Sequence, residues 1–269
     1  MFRMSYQATI GGPAGWSAER ITDPGYRDKF GFVPAKLGEW LAAHGGLDGK
    51  EVLDFGCGEA TTVLGLALRF PGSRVTGVEI GADIERCLPL ARAQLGLAAL
   101  PDNMALHRIR PGELPDAAAR YDVIYSWSVM EHVDQALLPA VLRQLREALK
   151  PGGKIFIQIE PLYYSSDGGH LMHKVPERWG HLLHQDSRYE EKLRAACRDG
   201  EEFRALTSMY RTLNRITAPH LFALVEGAGL RIVRRFTARE DYPIPEPLLE
   251  IYTEAALRTH GVELLAEAA

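Results

Sequence analysis

Two carboxylates and a pair of glycines stand at spacings suited to holding a small charged ligand. In "EVLDFGCGEATT", Glu51 to Thr62, an apolar run leads through Asp54 to Gly56 and Gly58, which are separated by one residue. Glycines at such a point let the chain turn sharply and let a ligand approach main-chain atoms with no Cβ in the way. A carboxylate at Asp54, two residues before the first glycine, would repel a pyrophosphate and attract an ammonium or sulfonium cation. Glu79, 25 residues after Asp54, closes the run "RVTGVE", where an acidic side chain can accept both hydroxyl protons of a ribose. Dinucleotide sites use the same acidic device, but their GxGxxG fingerprint needs glycine at 61 and this chain has Thr61.

The histidines offer a second kind of chemistry. His132 lies in "MEHV", just past an apolar run, and His170 and His173 lie in "SSDGGHLMH", where Gly168 and Gly169 predict a mobile bend. An imidazole suits the removal of a proton from an alcohol or phenol near neutral pH, so His132 and His170 are the candidate bases. The spacings of His170 with His173 and of His181 with His184 could each put two rings on one helical face. With no cysteine nearby, and with the histidines of "WGHLLH" packed among leucines, no metal centre is expected.

These residues need a scaffold. From Glu51 the pattern alternates between strand and helix: "EVLDF", "ATTVLGLALRF", "RVTGVEI", "ADIERCLPLARAQLGL", "MALHRI", "YDVIYSW", "QALLPAVLRQLREALK" and "GKIFIQIE", with "KPGG" as a helix-stopping turn. After residue 160 comes a polar, aromatic, His-rich insertion, and then helix "APHLFALVEGAGL", strand "RIVRRFTA", helix "PLLEIYTEAAL" and strand "GVELLAEA". Alternation of this kind predicts an α/β fold with a mostly parallel, seven-stranded, Rossmann-like sheet. We read residues 1–269 as one domain, with an irregular N-terminal arm over 1–33 and a helical lid over 161–212. Trp16, Phe30, Phe32, Tyr163, Tyr164, Trp179 and Tyr210 fall in the arm and the lid, although each is more often core than pocket.

Bulk properties narrow the function classes. The 31 basic and 35 acidic residues leave a net charge of -4, so no cationic field invites nucleic acid. Arg231, Arg234, Arg235 and Arg239 could grip an anion, although a solvated edge strand is the commoner outcome. Three widely spaced cysteines, no export signal and no run of about 18 apolar residues predict a cytoplasmic protein without a membrane span.

The segments "VLDFGCGEA", "VTGVEI", "YDVIYSWSVMEHV" and "LREALKPGGKIFIQI", in this order, resemble the class I S-adenosylmethionine-dependent methyltransferases over roughly residues 40 to 160. The resemblance implies S-adenosyl-L-methionine as cofactor and a small molecule as acceptor. It places Asp54 near the methionine ammonium, Gly56, Cys57 and Gly58 along the cofactor's back, and Glu79 with Ile80 at the ribose. It also sets the main chain near Ser126 and Trp127 at the methionine end. Family members often carry an aspartate just after the third strand, whereas this chain has Arg110 and Glu113 near that place, so the adenine contact falls to Glu113 or a carbonyl. A hydroxyl oxygen is the expected acceptor, with nitrogen or carbon as alternatives. A dinucleotide oxidoreductase and a non-catalytic cofactor-binding module are the rival classes.

Overall fold

The computed structural model describes residues 21–114 and 119–269, and the chain divides into two compact units, residues 1–126 with 147–156 and residues 127–146 with 157–269. The seven strands, β1 (Glu51–Phe55), β2 (Arg74–Glu79), β3 (Met104–Arg108), β4 (Tyr121–Trp127), β5 (Leu149–Ile159), β6 (Leu230–Arg239) and β7 (Thr259–Ala268), are ordered β3-β2-β1-β4-β5-β7-β6.

In the first unit, β1 (Glu51–Phe55) pairs in parallel with β2 (Arg74–Glu79) and with β4 (Tyr121–Trp127), and β2 pairs in parallel with β3 (Met104–Arg108). Val52, Leu53, Val75, Val78, Val123 and Ile124 are all buried, as continuous apolar runs covered on both faces should be. The chain winds outward from β1 to β3 and then returns to place β4 on the other side of β1. Such a reversal marks the place, at the carboxyl ends of the strands, where open α/β sheets take ligands. Helix α3 (Thr61–Arg69) follows the glycine turn and is buried along Thr61–Ala67, while α4 (Cys87–Leu95) follows β2.

The expected irregular arm is corrected in its described part. Asp23 caps a helical turn, α1 (Pro24–Arg27), by accepting from the Tyr26 N–H, and a π-helical stretch over Asp28–Phe32 runs on into α2 (Val33–Leu41). A capping aspartate followed by proline is a helix-start signal. Tyr26 and Phe30 stack at 6.0 Å and are buried with Ile21, Leu64 and Ala91, so apolar burial drives this helix. Trp16 and the rest of residues 1–20 lie outside the described residues. The "KPGG" turn is also absorbed into structure: β5 spans Leu149–Ile159, with Gly152 left-handed at φ 79°.

In the second unit, α5 (Leu138–Ala148), α9 (Ala218–Gly227) and the antiparallel pair β6 (Leu230–Arg239) and β7 (Thr259–Ala268) follow the expected pattern. Segment 161–212 carries α6 (Gly180–Leu183), α7 (Asp186–Ala196) and α8 (Gly200–Thr212) around a small core of its own, which includes Tyr163, Leu171, Tyr189, Leu193, Phe203 and Tyr210. Trp179 is fully buried beside Leu248 and Leu257. Tyr163 and Tyr210 are therefore core residues of segment 161–212, and Trp179 is a core residue packed on helices that follow it. "PLLEIYTEAAL" is two short helices, α10 (Glu246–Leu249) and α11 (Glu254–Arg258), because Thr253 accepts from the Ala256 N–H and starts a new one. The four arginines lie along exposed edge strand β6, where Arg231 pairs with Glu267 and Arg235 stacks over Phe222.

Candidate active site

The loop after β1 is turned by left-handed residues, Gly56 at φ 84° and Gly58 at φ 52°. A Cβ added to Gly58 would meet nothing within 4 Å, so glycine is demanded by the backbone angle and leaves open main chain on that side. The N–H groups of Gly56 and Cys57 both donate to the Val78 carbonyl, each at 3.0 Å, and so clamp the loop to the end of β2.

Glu79 completes the clamp. One carboxylate oxygen accepts from the Gly58 N–H at 2.8 Å, and the other accepts from the Ile80 and Gly81 N–H groups at 2.8 and 2.9 Å. Three main-chain donors thus fix a carboxylate that has roughly four acceptor sites, leaving capacity for a ligand hydroxyl. Ile80, beside it, is 55% exposed and gives this carboxylate an apolar neighbour.

Asp54 is buried, and its Oδ2 accepts from the Tyr125 hydroxyl at 2.7 Å. Burial pushes its carboxyl up to about 7 and the charge of Glu79 adds to this, while the Tyr125 hydrogen bond and Lys29 pull the other way. Burial, then the charges of Asp54 and Glu79, hold the Cys57 thiol far above its usual range, so Cys57 lines the turn as a neutral group. Two carboxylates, a bare glycine turn and an exposed isoleucine fit a cationic nucleoside.

Other expected contacts stand differently. Glu113 sits in an exposed turn after β3, where its carboxylate accepts from the Arg110 N–H at 3.2 Å; among the described residues no contact ties it to Asp54 or Glu79. Ser126 is fully buried and its Oγ has no hydrogen-bond partner, and Trp127 ends β4. Ser128, left-handed at φ 52°, donates its N–H to the carbonyl and side-chain oxygens of Gln158, both at 3.0 Å.

In the second unit, the His132 and His170 rings meet edge-on at 5.4 Å. His132 Nδ1 is 3.0 Å from Thr212 Oγ1, and His170 Nε2 is 3.0 Å from the Pro161 carbonyl. Burial, then the neighbouring His170, depresses the His132 imidazole to about 4, and burial lowers His170 as well, so both are neutral at pH 7. Both carboxylate oxygens of Glu131 are buried without hydrogen-bond partners, and burial pushes that acid up to about 8. Asn214 pins the turn carrying both residues: its Nδ2 donates to the Met130 and Val133 carbonyls at 2.7 and 2.8 Å, and its N–H donates to the Glu131 carbonyl at 2.7 Å.

The mobile bend expected at Gly168 and Gly169 is corrected. Both glycines are buried, and a Cβ on Gly168 would sit 2.2 Å from the Tyr163 carbonyl, so glycine here permits close packing of main chain. His170 itself is held left-handed at φ 58°, a strained conformation for a side chain.

The paired histidines are taken up separately. His181 Nε2 lies 2.6 Å from the Tyr163 carbonyl, His184 Nε2 lies 2.9 Å from Glu177, and His173 is exposed. Asp167, Glu240 and His260 instead bring ligand-type atoms within 4.8 Å of one another. Against the effect of burial, Asp167, Glu160 and Glu240 raise the His260 imidazole to about 10, and the resulting imidazolium is itself the balancing cation.

Sequence reading missed Tyr125, Glu131, Thr212 and Asn214. Tyr125 was open to discovery, because a strand order with β4 beside β1 puts Asp54 and Tyr125 at matched register. Thr212 and Asn214 lie about 80 residues from the turn they touch, and no local pattern marks them.

A family model described as Methyltransferase domain matches residues 31–235. The ubiquinone biosynthesis O-methyltransferase of Sodalis glossinidius is 34% identical over 124 residues, 46% of this chain and 46% of that protein. The protein of the same name from Cronobacter sakazakii is 34% identical over 144 residues, 52% and 53% of the two chains. The chain thus spans about half the length of the curated relatives it matches. Among solved structures, magnesium protoporphyrin IX methyltransferase from Synechocystis PCC 6803 with bound SAH superposes with a TM-score of 0.55 at 16% identity, covering 91% of this chain and 85% of that one. A SAM-dependent methyltransferase from Methanosarcina mazei gives 0.55 at 18% identity, covering 85% and 96%. No helix among the described residues is long and apolar enough to cross a membrane. With the glycine turn, the seven-stranded order and a family match over most of its length, the chain belongs to the class I methyltransferases, enzymes whose cofactor is S-adenosylmethionine.

Proposed function

We propose that this methyltransferase methylates a hydroxyl oxygen of a small organic molecule, with Asp54 and Glu79 holding the cofactor and His132 or His170 taking the acceptor proton. The observation that carries this reading is the neutral imidazole pair. Because a carbonyl can only accept, His170 donates Nε2–H to Pro161 and keeps a lone pair on Nδ1. The relatives named O-methyltransferases support oxygen as the acceptor atom.

When bound, S-adenosylmethionine supplies an electrophilic methyl group on a cationic sulfur. The chain's own residues have two tasks. The Asp54 carboxylate and the main chain of the glycine turn orient the cofactor, because alignment is most of what an in-line displacement requires. An imidazole lone pair of His132 or His170 would take the hydroxyl proton as the acceptor oxygen is methylated. Under this reading, segment 161–212 carries acceptor-side groups of a single methyltransferase domain.

The test is incubation of the protein with methyl-labelled S-adenosylmethionine and a panel of phenols, catechols, alcohols, amines and activated carbon acids, with products identified by mass spectrometry. Labelled ethers support the reading. N-methyl or C-methyl products alone overturn oxygen as the acceptor, and cofactor binding without turnover of any member points to a binding module.

A further inference from the structure

We infer that Thr212 is a positioning residue that sets the tautomer of His132, leaving the Nε2 lone pair free to take a proton. The inference rests on the reading of His132 as a base.

Thr212 is the last residue of α8, and its Oγ1 lies 2.7 Å from the Met209 carbonyl and 3.0 Å from His132 Nδ1. Carbonyls in the last turn of a helix lack an N–H four residues on. Met209 is such a case, because the Leu213 N–H that would reach it donates to Tyr210 instead, at 3.2 Å. The Thr212 proton therefore goes to Met209, and the hydroxyl oxygen is left as an acceptor facing His132. A neutral imidazole has one N–H and one lone pair, so Nδ1 must carry the hydrogen.

Two further features act in the same direction. The carboxyl-terminal end of a helix carries partial negative charge, which favours an N–H over a lone pair pointing at it. Asn214, two residues on, grips the Met130–Val133 turn through three main-chain contacts, so the backbone bearing His132 is fixed against the end of α8. Thr212 itself is exposed, so its hydroxyl is held by the Met209 carbonyl and the imidazole rather than by a packed core.

The experiment is long-range proton–nitrogen correlation NMR of the 15N-labelled full-length chain at pH 7.5, with the His132 signals assigned by their loss in His132→Asn. The wild type should show a protonated Nδ1 and an unprotonated Nε2. Thr212→Val should shift the ring toward the Nε2–H form, and Thr212→Ser should restore the wild-type pattern. A wild type protonated on Nε2, or a Thr212→Val spectrum identical to wild type, overturns the inference. On an acceptor found to turn over, Thr212→Val should lower kcat roughly 2- to 10-fold, the worth of one hydrogen bond, with KM for S-adenosylmethionine unchanged. A His132→Asn variant with wild-type kcat would defeat the base assignment alone, since the tautomer would still be read from the spectrum.

Discussion

The Tyr125 hydroxyl donates to Asp54 across 2.7 Å, joining register partners on adjacent strands β4 and β1. Because burial raises the Asp54 carboxyl to about 7, it is largely neutral below that pH and ionised above it. Affinity for S-adenosylhomocysteine, which keeps the ammonium group, should therefore rise between pH 6 and 8. Tyr125→Phe removes a hydrogen bond that favours the ionised form, so the same rise should move to higher pH. Calorimetric titration across this range is the check, and a flat affinity profile would count against the pairing of Asp54 with the ammonium.

Glu131 makes a prediction about stability. Its folded-state value near 8 lies above the ordinary 4.5, so folding favours the neutral acid. That contribution is complete below about 4.5, falls as the unfolded chain ionises, and is gone above about 8. The swing is on the order of 4 kcal/mol. Glu131→Gln, which keeps the neutral shape, should be more stable than wild type at pH 8 and little different at pH 4.5. Urea melts at the two pH values test this, and equal differences at both would contradict it.

The two depressed imidazoles predict an unusual rate profile. With burial and the neighbouring His170 holding His132 near 4, that ring gains no proton between pH 8 and 6, and burial shifts His170 in the same direction. At saturating cofactor, kcat should stay level over that interval and fall as pH approaches 4. A fall centred near 6.5 would point to an ordinary, solvated histidine. His170→Ala should lower kcat while leaving the dissociation constant for S-adenosylhomocysteine unchanged.

Gly168 tests the packing of segment 161–212. A methyl group there would lie 2.2 Å from the Tyr163 carbonyl and 2.4 Å from that of Leu162, so the main chain would have to move. Gly168→Ala should cost about 1–3 kcal/mol, as overpacking typically does, and should lower the urea midpoint. An unchanged midpoint would mean that the bend is as pliable as its two glycines suggest in sequence.

The strands and the cofactor turn were legible because their signals are local. An apolar run, two glycines and an acidic residue after the next run sit within 29 residues, from Glu51 to Glu79, and the structure ties them together through Val78 and Glu79. What escaped depends on contacts between distant segments. Glycine 168 reads as a flexible hinge in sequence, and only the Tyr163 carbonyl beside it shows that its missing side chain serves packing. The arm was misread because its aromatics, taken singly, carry no helical period, whereas Asp23 and Pro24 did mark a helix start.

The central claim is that Asp54 and Glu79, set on either side of the glycine turn, hold the cofactor. Isothermal titration of S-adenosylhomocysteine into wild type, Asp54→Ala and Glu79→Ala tests it most directly. Saturable binding to wild type, weakened in both variants by roughly 1–3 kcal/mol, or about 5- to 150-fold, is the predicted result. Equal affinity in all three proteins, or saturation by NADH with no response to S-adenosylhomocysteine, would contradict it.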